Sequence, residues 1–463
     1  MPNVRYPDET KFAFAPGVTC LTTPAGAVLL NPPRNERLTA LTAGQLRALR
    51  TLNVGSATKT DLSGPRDTSD VAALLDRLVA GGWLAVTVRT DGKDLYSLQP
   101  FGQPPPRPGQ SSKSNVMSKF AVLQRNLDAF LLQHPLSWCD LQIHDTQLLV
   151  VLDGLHTRVS DSSHPAAAQL VEDLRWSGIL VARGDEDSRF EVVSWSAPDL
   201  WFHRRSTLGQ RTVTWEHFGP TKWAKGRFAQ PPARRAKYPG ELLALPVPDL
   251  TAQDSREPSL TNVIESRVST RAFDDGHPIS VEQLAELLYR TARTRSIEPV
   301  GEGEELLSRP YPSGGSLYEL EVYPIVRNVA GLEPGMYHYD SFDHSLCTIA
   351  ATDSRAVHQL LKTASATLSE GAEPQVLIVM AARSGRIMWT YEQVSYATIL
   401  KNVGALMQTM YLVATAMGLG VCAQGFSDTA AFVAATGVDE LEECSVGSII
   451  VGLPAQSRPP SRP

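Results

Sequence analysis

Apolar residues along this chain switch between two spacings, and each switch marks an element. Val18–Leu21 and Ala27–Leu30 are short strand-like runs. Thr42 stands at a capping position before a helical stretch that reaches Arg50. Ser69–Ala80 sets Val71, Leu74, Leu75, Leu78 and Val79 at helical spacing; Gly81 and Gly82 stop it, and Trp83–Val88 reads as a strand. Helix, helix, strand is the order of a small winged-helix-like module, here spanning 1–100. Residues 101–115 are a Pro/Gly/Ser linker. The plan then recurs over 116–205. Leu141–Ile143 and Gln147–Val151 are strand-like, Ala166–Ser177 is an amphipathic helix stopped by Gly178, and Ile179–Ala182 is a strand. Such a pair of modules suits either peptide docking or propping of the domain that follows. Residues 206–257 are rich in Arg, Pro, Trp and Lys with little periodicity, as in a long wrapping connection.

From 258 to 463 the pattern is that of an α+β domain. Ser280 and Gln283 have capping-box spacing at the start of a helix. Tyr318–Val326, Val376–Ala381 and Ser448–Val451 read as strands, and the tail from Pro454 as extended chain. Thr390–Met417 reads as one long helix, ended by Gly418 and Gly420. It is apolar almost all round, through Val394, Ala397, Leu400, Val403, Leu406, Met410 and Val413. A helix of this kind is buried by its own domain on one side and by a second subunit on another. Lys401 and Asn402 are polar within it and therefore require partners.

Bulk properties narrow the class. A chain of 463 residues is too long for one core and implies two to four domains. Its 42% hydrophobic and 20% charged residues describe a globular protein. A net charge of −6 argues against a nucleic-acid partner. The five cysteines, Cys20, Cys139, Cys347, Cys422 and Cys444, form no CxxC pair and match neither a disulfide nor a zinc framework. They read as free thiols of a reducing cytoplasm, with no metal site. Asp8 and Glu9 interrupt the first ten residues, so no signal peptide is expected. The most apolar stretch, Val403–Val421, contains Gln408, Thr409 and Thr415 and reads as a buried helix, not a membrane span.

Three short segments carry candidate chemistry. Arg267, Ser269 and Arg271 occupy alternate positions and would share a face of an extended strand. Two guanidinium forks and a hydroxyl on one face suit a phosphate, although Arg/Ser clusters are also common on plain solvated surface. Pro312, Ser313, Gly314 and Gly315 form a turn whose glycines let backbone approach a flat ring. Gln424 and Gly425 follow the long helix in Cys422–Phe426.

In this order the segments resemble the flavin-dependent nitroreductase superfamily, over roughly residues 258–458. The resemblance implies a nitroreductase-like FMN-binding domain. Arg267, Ser269 and Arg271 would hold the FMN phosphate and ring edge. Pro312–Ser316 would lie along the isoalloxazine, and the backbone of the Gln424–Gly425 turn would approach flavin N5 and O4. Arg458 would add a late phosphate contact. Within the superfamily, Tyr391–Leu419 and Ser196–His203 resemble the peptide azoline dehydrogenases (SagB/ThcOx-type), above all those of thiopeptide pathways. That branch oxidises thiazoline or oxazoline rings to azoles in ribosomally made precursor peptides. It implies a homodimer and, as a partner, the cyclodehydratase of the same pathway.

The branch has a Lys-Tyr pair where this chain has Thr390-Tyr391. Tyr391 is thus the candidate base without its lysine. A tyrosine with a pKa near 10 needs a nearby cation to act at neutral pH. Lys401 lies about 15 Å further along a continuous helix and would reach Tyr391 only from a symmetry mate. Glu392 and Tyr396 are alternatives, Tyr396 pointing roughly 140° away round that helix. Two other functions fit the sequence: a generic NAD(P)H-dependent nitro- or quinone reductase, and a non-catalytic peptide-binding scaffold.

Overall fold

A computed structural model describes residues 6–455 apart from 64–67, 110–113, 150–151, 153–165, 208, 210–219, 255–256 and 302. Arg458 lies outside the described residues. The chain divides into two compact units, Met1–Thr214 and Trp215–Pro463.

The first unit differs from two separate modules. One antiparallel sheet runs through it in the order Ala57–Thr58, Lys11–Phe14, Leu84–Thr90, Lys93–Pro100, Cys139–Ile143, Ala129–Gln133 and Val122–Asn126. Lys93–Pro100 is the hinge of this arrangement, because Leu98 stands opposite Val86 on one side and Leu141 on the other. A single core follows, in which Leu78, Leu98, Leu141 and Leu174 belong to one buried cluster. The Pro-rich stretch near 105 is also pinned rather than slack. Arg107 donates to the buried Asp173 at 3.1 Å, and the Trp176 indole donates to the Pro105 carbonyl at 2.8 Å. Gln147 lies in a 3₁₀ turn, Thr146–Leu148, not in a strand. Asp145 accepts from its N–H at 2.9 Å and turns the chain.

The second unit is built on an antiparallel sheet in the order Leu242–Ala244, Ser345–Ala350, Gly335–Asp340, Leu320–Val326, Val376–Ala382, Cys444–Gly452 and Gly420–Gln424. Its two central strands, LEVYPIV and VLIVMAA, are buried throughout, as near-continuous apolar runs must be. Ser280 caps the Val281–Ala292 helix, and the reciprocal Gln283 bond of a capping box is present. The connection contributes from residue 220 onward. It adds the Leu242–Ala244 edge strand and straps the helix Ser384–Thr390.

The long helix is broken. Ser384–Thr390 is one helix and Ser395–Ala416 a second, with Tyr391 extended (φ −115°, ψ 126°) between them. The apolar spacing continues across the break, which is why periodicity alone reads straight through it. Gly418, at φ 71°, ends the second helix in the left-handed conformation that glycine adopts without penalty. Among the described residues no helix is long and apolar enough to cross a membrane.

Candidate active site

Each sequence-flagged segment meets the Ser395–Ala416 helix, and three side chains do most of the joining. The first is Asn402, which is 5% exposed. Its Oδ1 accepts the Gly314 N–H at 3.1 Å. Its Nδ2 donates to Ser313 Oγ at 3.1 Å and to the Glu319 carboxylate at 2.9 and 3.2 Å. Ser313 Oγ also accepts the Tyr318 N–H at 3.1 Å. The Gly-Gly turn is therefore fixed from beneath by one buried amide. Glu319 is fully buried, and that burial raises its pKa above the ordinary 4.5, while the hydrogen bonds from Asn402 and Ser313 oppose the shift.

Glycine is required at 314 for a steric reason. A Cβ there would lie 2.4 Å from Thr398 Cγ2 on the long helix and 3.9 Å from Tyr391 Cε2. Gly315 is held at φ 62°. The turn thus lies flat on the helix with the candidate base beside it.

The second joining residue is Tyr411, 8% exposed. Its hydroxyl accepts the Ala423 N–H at 2.9 Å and shares a 2.9 Å hydrogen bond with Ser269 Oγ. The Arg267 guanidinium lies over its ring, 5.3 Å from the centroid. The Arg267–Arg271 segment runs beside the strand Gly420–Gln424: Thr270 N–H donates to the Val421 carbonyl at 2.8 Å, and Ser269 bridges Val421 in parallel register. A Cβ at Gly420 would meet Thr270 Cγ2 at 2.7 Å, so that approach also needs glycine. Arg271 is exposed. Among the described residues neither Arg267 nor Arg271 pairs with a carboxylate.

The exit turn is used differently from its neighbours. The Gln424 side chain points inward, donating to the Ala364 carbonyl and Thr367 Oγ1 at 3.1 Å and accepting from Ser448 Oγ at 2.6 Å. Only the backbone at 424 and 425 is left to meet a ligand. Gly425 is exposed, and nothing stands within 4 Å of the position its Cβ would take.

The third joining residue, Arg386, sets the helix that ends in Tyr391. It is fully buried, without a carboxylate partner among the described residues, and its guanidinium donates to the carbonyls of Leu317 (2.9 Å), Glu305 (3.0 Å) and Pro231. Burial lowers its pKa to about 10. The bond to Leu317 ties this helix to the chain just after the Gly-Gly turn. Tyr391 itself is half-buried; its N–H donates to the Ile387 carbonyl at 2.8 Å, and burial raises its phenol above 10. Thr390 is buried with no hydrogen-bond partner for its hydroxyl among the described residues. Lys401 is exposed, as is Tyr396 at 41%.

These residues fit a flavin nucleotide. Among the described residues two arginines without acid partners flank the Ser269–Thr270 pairing with Val421, an open glycine follows the strand Gly420–Gln424, and a Gly-Gly turn lies on the helix that packs against that strand. Neither Tyr411 nor Arg386 was flagged by the sequence. A buried arginine reads like any surface arginine, and a tyrosine in an apolar helix reads as core. Asn402 did carry a signal, as a polar residue in an apolar helix.

Comparison with known proteins agrees with this fold. Residues 264–453 match the nitroreductase family. The chain is 30% identical over 186 residues to the putative nitroreductase MJ1384 of Methanocaldococcus jannaschii, covering 40% of this chain and 85% of that protein. The chain belongs to the nitroreductase family, a family of flavin-binding oxidoreductases. A second region, residues 115–212, matches the cyanobactin oxidase ThcOx family. It is 27% identical to the trifolitoxin-processing protein TfxB of Rhizobium leguminosarum over 65% of this chain and 82% of that protein. It is also 27% identical to the microcin B17-processing protein McbC of Escherichia coli, over 24% of this chain and 42% of that protein. Among solved structures, the E. coli microcin synthetase McbBCD complex matches at 17% identity and a TM-score of 0.34, over 63% of this chain and 95% of that one. That likeness is too distant to inform function.

Proposed function

We propose that this chain is an FMN-dependent dehydrogenase that oxidises azoline rings to azoles in a ribosomally made precursor peptide. The observation that carries this reading is the approach of Tyr391, just before the helix that anchors Ser269, to Gly314, which lies on that helix. It supports Tyr391 as the proton acceptor beside the surface suited to a flavin ring. The two peptide-processing relatives support the substrate class.

Aromatisation removes from the ring one proton, at the acidic carbon next to the imine and the carbonyl, and one hydride. Bound FMN supplies the hydride acceptor. The protein residues do the rest. Arg267 and Arg271 bind the phosphate. Ser269 can donate its own hydroxyl hydrogen to that phosphate when Tyr411, already accepting from Ala423, donates to Ser269 Oγ. Asn402 and Glu319 hold the Gly-Gly turn at fixed height. Tyr391 takes the ring proton at its phenol oxygen, a role that demands stabilisation of the phenolate. The exposed stripe of the long helix, Tyr396, Leu400, Lys401, Gly404 and Gln408, is the face for a second copy of the chain. The cyclodehydratase that makes the azoline is a further partner.

Incubating the FMN-loaded protein with an azoline peptide tests this reading. The peptide should lose two hydrogens per ring; unchanged mass with FMN bound would sink it. An NAD(P)H-dependent reductase is the second reading, favoured by the identity to MJ1384. Rapid anaerobic bleaching of the flavin by NAD(P)H, with no peptide oxidation, would select it.

A further inference from the structure

Residues 221–233 run as a strap along the helix Ser384–Thr390. Near that helix's start, Arg383 donates to the carbonyls of Pro232 (2.8 Å) and Ala233 (3.1 Å). Arg386 reaches Pro231, and a Cβ on Gly385 would touch the Pro231 ring at 3.4 Å. At the helix's end the Thr221 N–H donates to the Trp389 carbonyl at 2.8 Å, and the Trp389 indole donates to the Phe228 carbonyl at 2.9 Å. The turn between these two anchors, Thr221–Phe228, is thus bonded at both ends to the residue two before Tyr391. Ala224 packs inward at 0% exposure.

The rest of the turn faces solvent. Lys222, Lys225 and Arg227 are exposed, as are Trp223 (42%) and Phe228 (55%), whose rings lie 6.1 Å apart. Three cations and two aromatics in seven residues, on a chain of net charge −6, form a local basic patch. No ion pair with a carboxylate satisfies Lys225 or Arg227 among the described residues. Structural duty explains Thr221, Ala224 and the two anchoring bonds, but not the outward cations Lys225 and Arg227.

We propose that the Thr221–Phe228 turn is the substrate lip of the active site and grips a carboxylate-bearing segment of the peptide flanking the ring. It rests on the reading of a peptide substrate at Tyr391. Lys222, Lys225 and Arg227 pair with the peptide's acidic side chains, and Trp223 and Phe228 cover its backbone or apolar side chains. The lip selects peptides by charge and performs no chemistry.

The probes are two fluorescein-labelled peptides with the same central azole, one flanked by glutamates and one by glutamines. Anisotropy titrations on the full-length, FMN-loaded protein measure their affinities at low salt and at high salt. Three exposed pairs, each worth a factor of about two, give about a tenfold preference for the glutamate peptide at low salt. High salt should erase that preference. The combined variant Lys222→Gln, Lys225→Gln and Arg227→Gln should lose it too, while keeping FMN absorbance and melting temperature. Equal affinity of the wild type for both peptides would overturn the lip, as would a preference that persists in the variant. Because the peptides already carry an azole, this result is independent of whether azolines are oxidised.

Discussion

Replacing Asn402 with alanine removes the side chain that hydrogen-bonds the Gly-Gly turn to the long helix. Three groups lose a hydrogen bond at once: the half-buried Gly314 N–H and Ser313 Oγ, and the buried Glu319 carboxyl. Leaving a buried polar group unpaired costs about 1–3 kcal/mol, and Ser313 keeps its bonds to Glu319 and Tyr318, so a total of about 3 kcal/mol is expected. For a unit of this size that lowers the melting temperature by roughly 6–12 °C. Asn402→Asp separates the hydrogen bond from the packing. It keeps the acceptor for Gly314 but sets a second carboxylate against Glu319, so it should be destabilised near neutral pH and recover as the pH falls and the pair takes up a proton. Thermal unfolding across pH and FMN fluorescence titration would be run on both variants. Alanine at 402 within 1 °C of the wild type, with unchanged FMN affinity, would refute the claim that this amide supports the site.

Three further outcomes follow from the same geometry. Glu319 titrates above its ordinary 4.5 when folded, so the folded state holds the proton more tightly than the unfolded chain. Its stabilising contribution is complete below pH 4.5 and fades as pH rises through the raised value; Glu319→Gln should flatten that part of the stability–pH curve, seen in denaturant midpoints. Tyr411→Phe removes the hydroxyl between Ser269 and Ala423 and should weaken FMN binding about tenfold, read by flavin fluorescence, with little change in fold. Tyr391→Phe should lower turnover by a factor of about 10²–10⁴ without releasing FMN. It should also abolish the rise of rate toward alkaline pH that a phenol lifted above 10 imposes on the wild type.

Much of the second unit is legible in its sequence because its elements are decided locally. Leu320–Val326 and Val376–Ala382 are apolar on both faces, Ser280 and Gln283 cap one helix, and Gly418 ends another. The break at Tyr391 escapes because apolar residues keep helical spacing on both sides of it. The single sheet of the first unit escapes for another reason. Tyr96 opposite Ile143 is a pairing across 47 positions, and no local pattern records such partners. The site was legible where a residue type stands out, as glycine does at 314 and asparagine at 402. It was hidden where a common residue takes an uncommon role. Arg386 looks like a surface arginine until three carbonyls surround it, and Gln424 looks like a ligand contact until its amide is seen bonded to Ala364 and Ser448.

The most direct test of the central claim is the mass of an azoline-containing peptide after incubation with the FMN-loaded protein, in parallel with the Tyr391→Phe variant. Loss of two hydrogens per ring with the wild type, and hardly any with the variant, is the expected result. An unchanged peptide with FMN fully bound, or equal oxidation by both proteins, would contradict it.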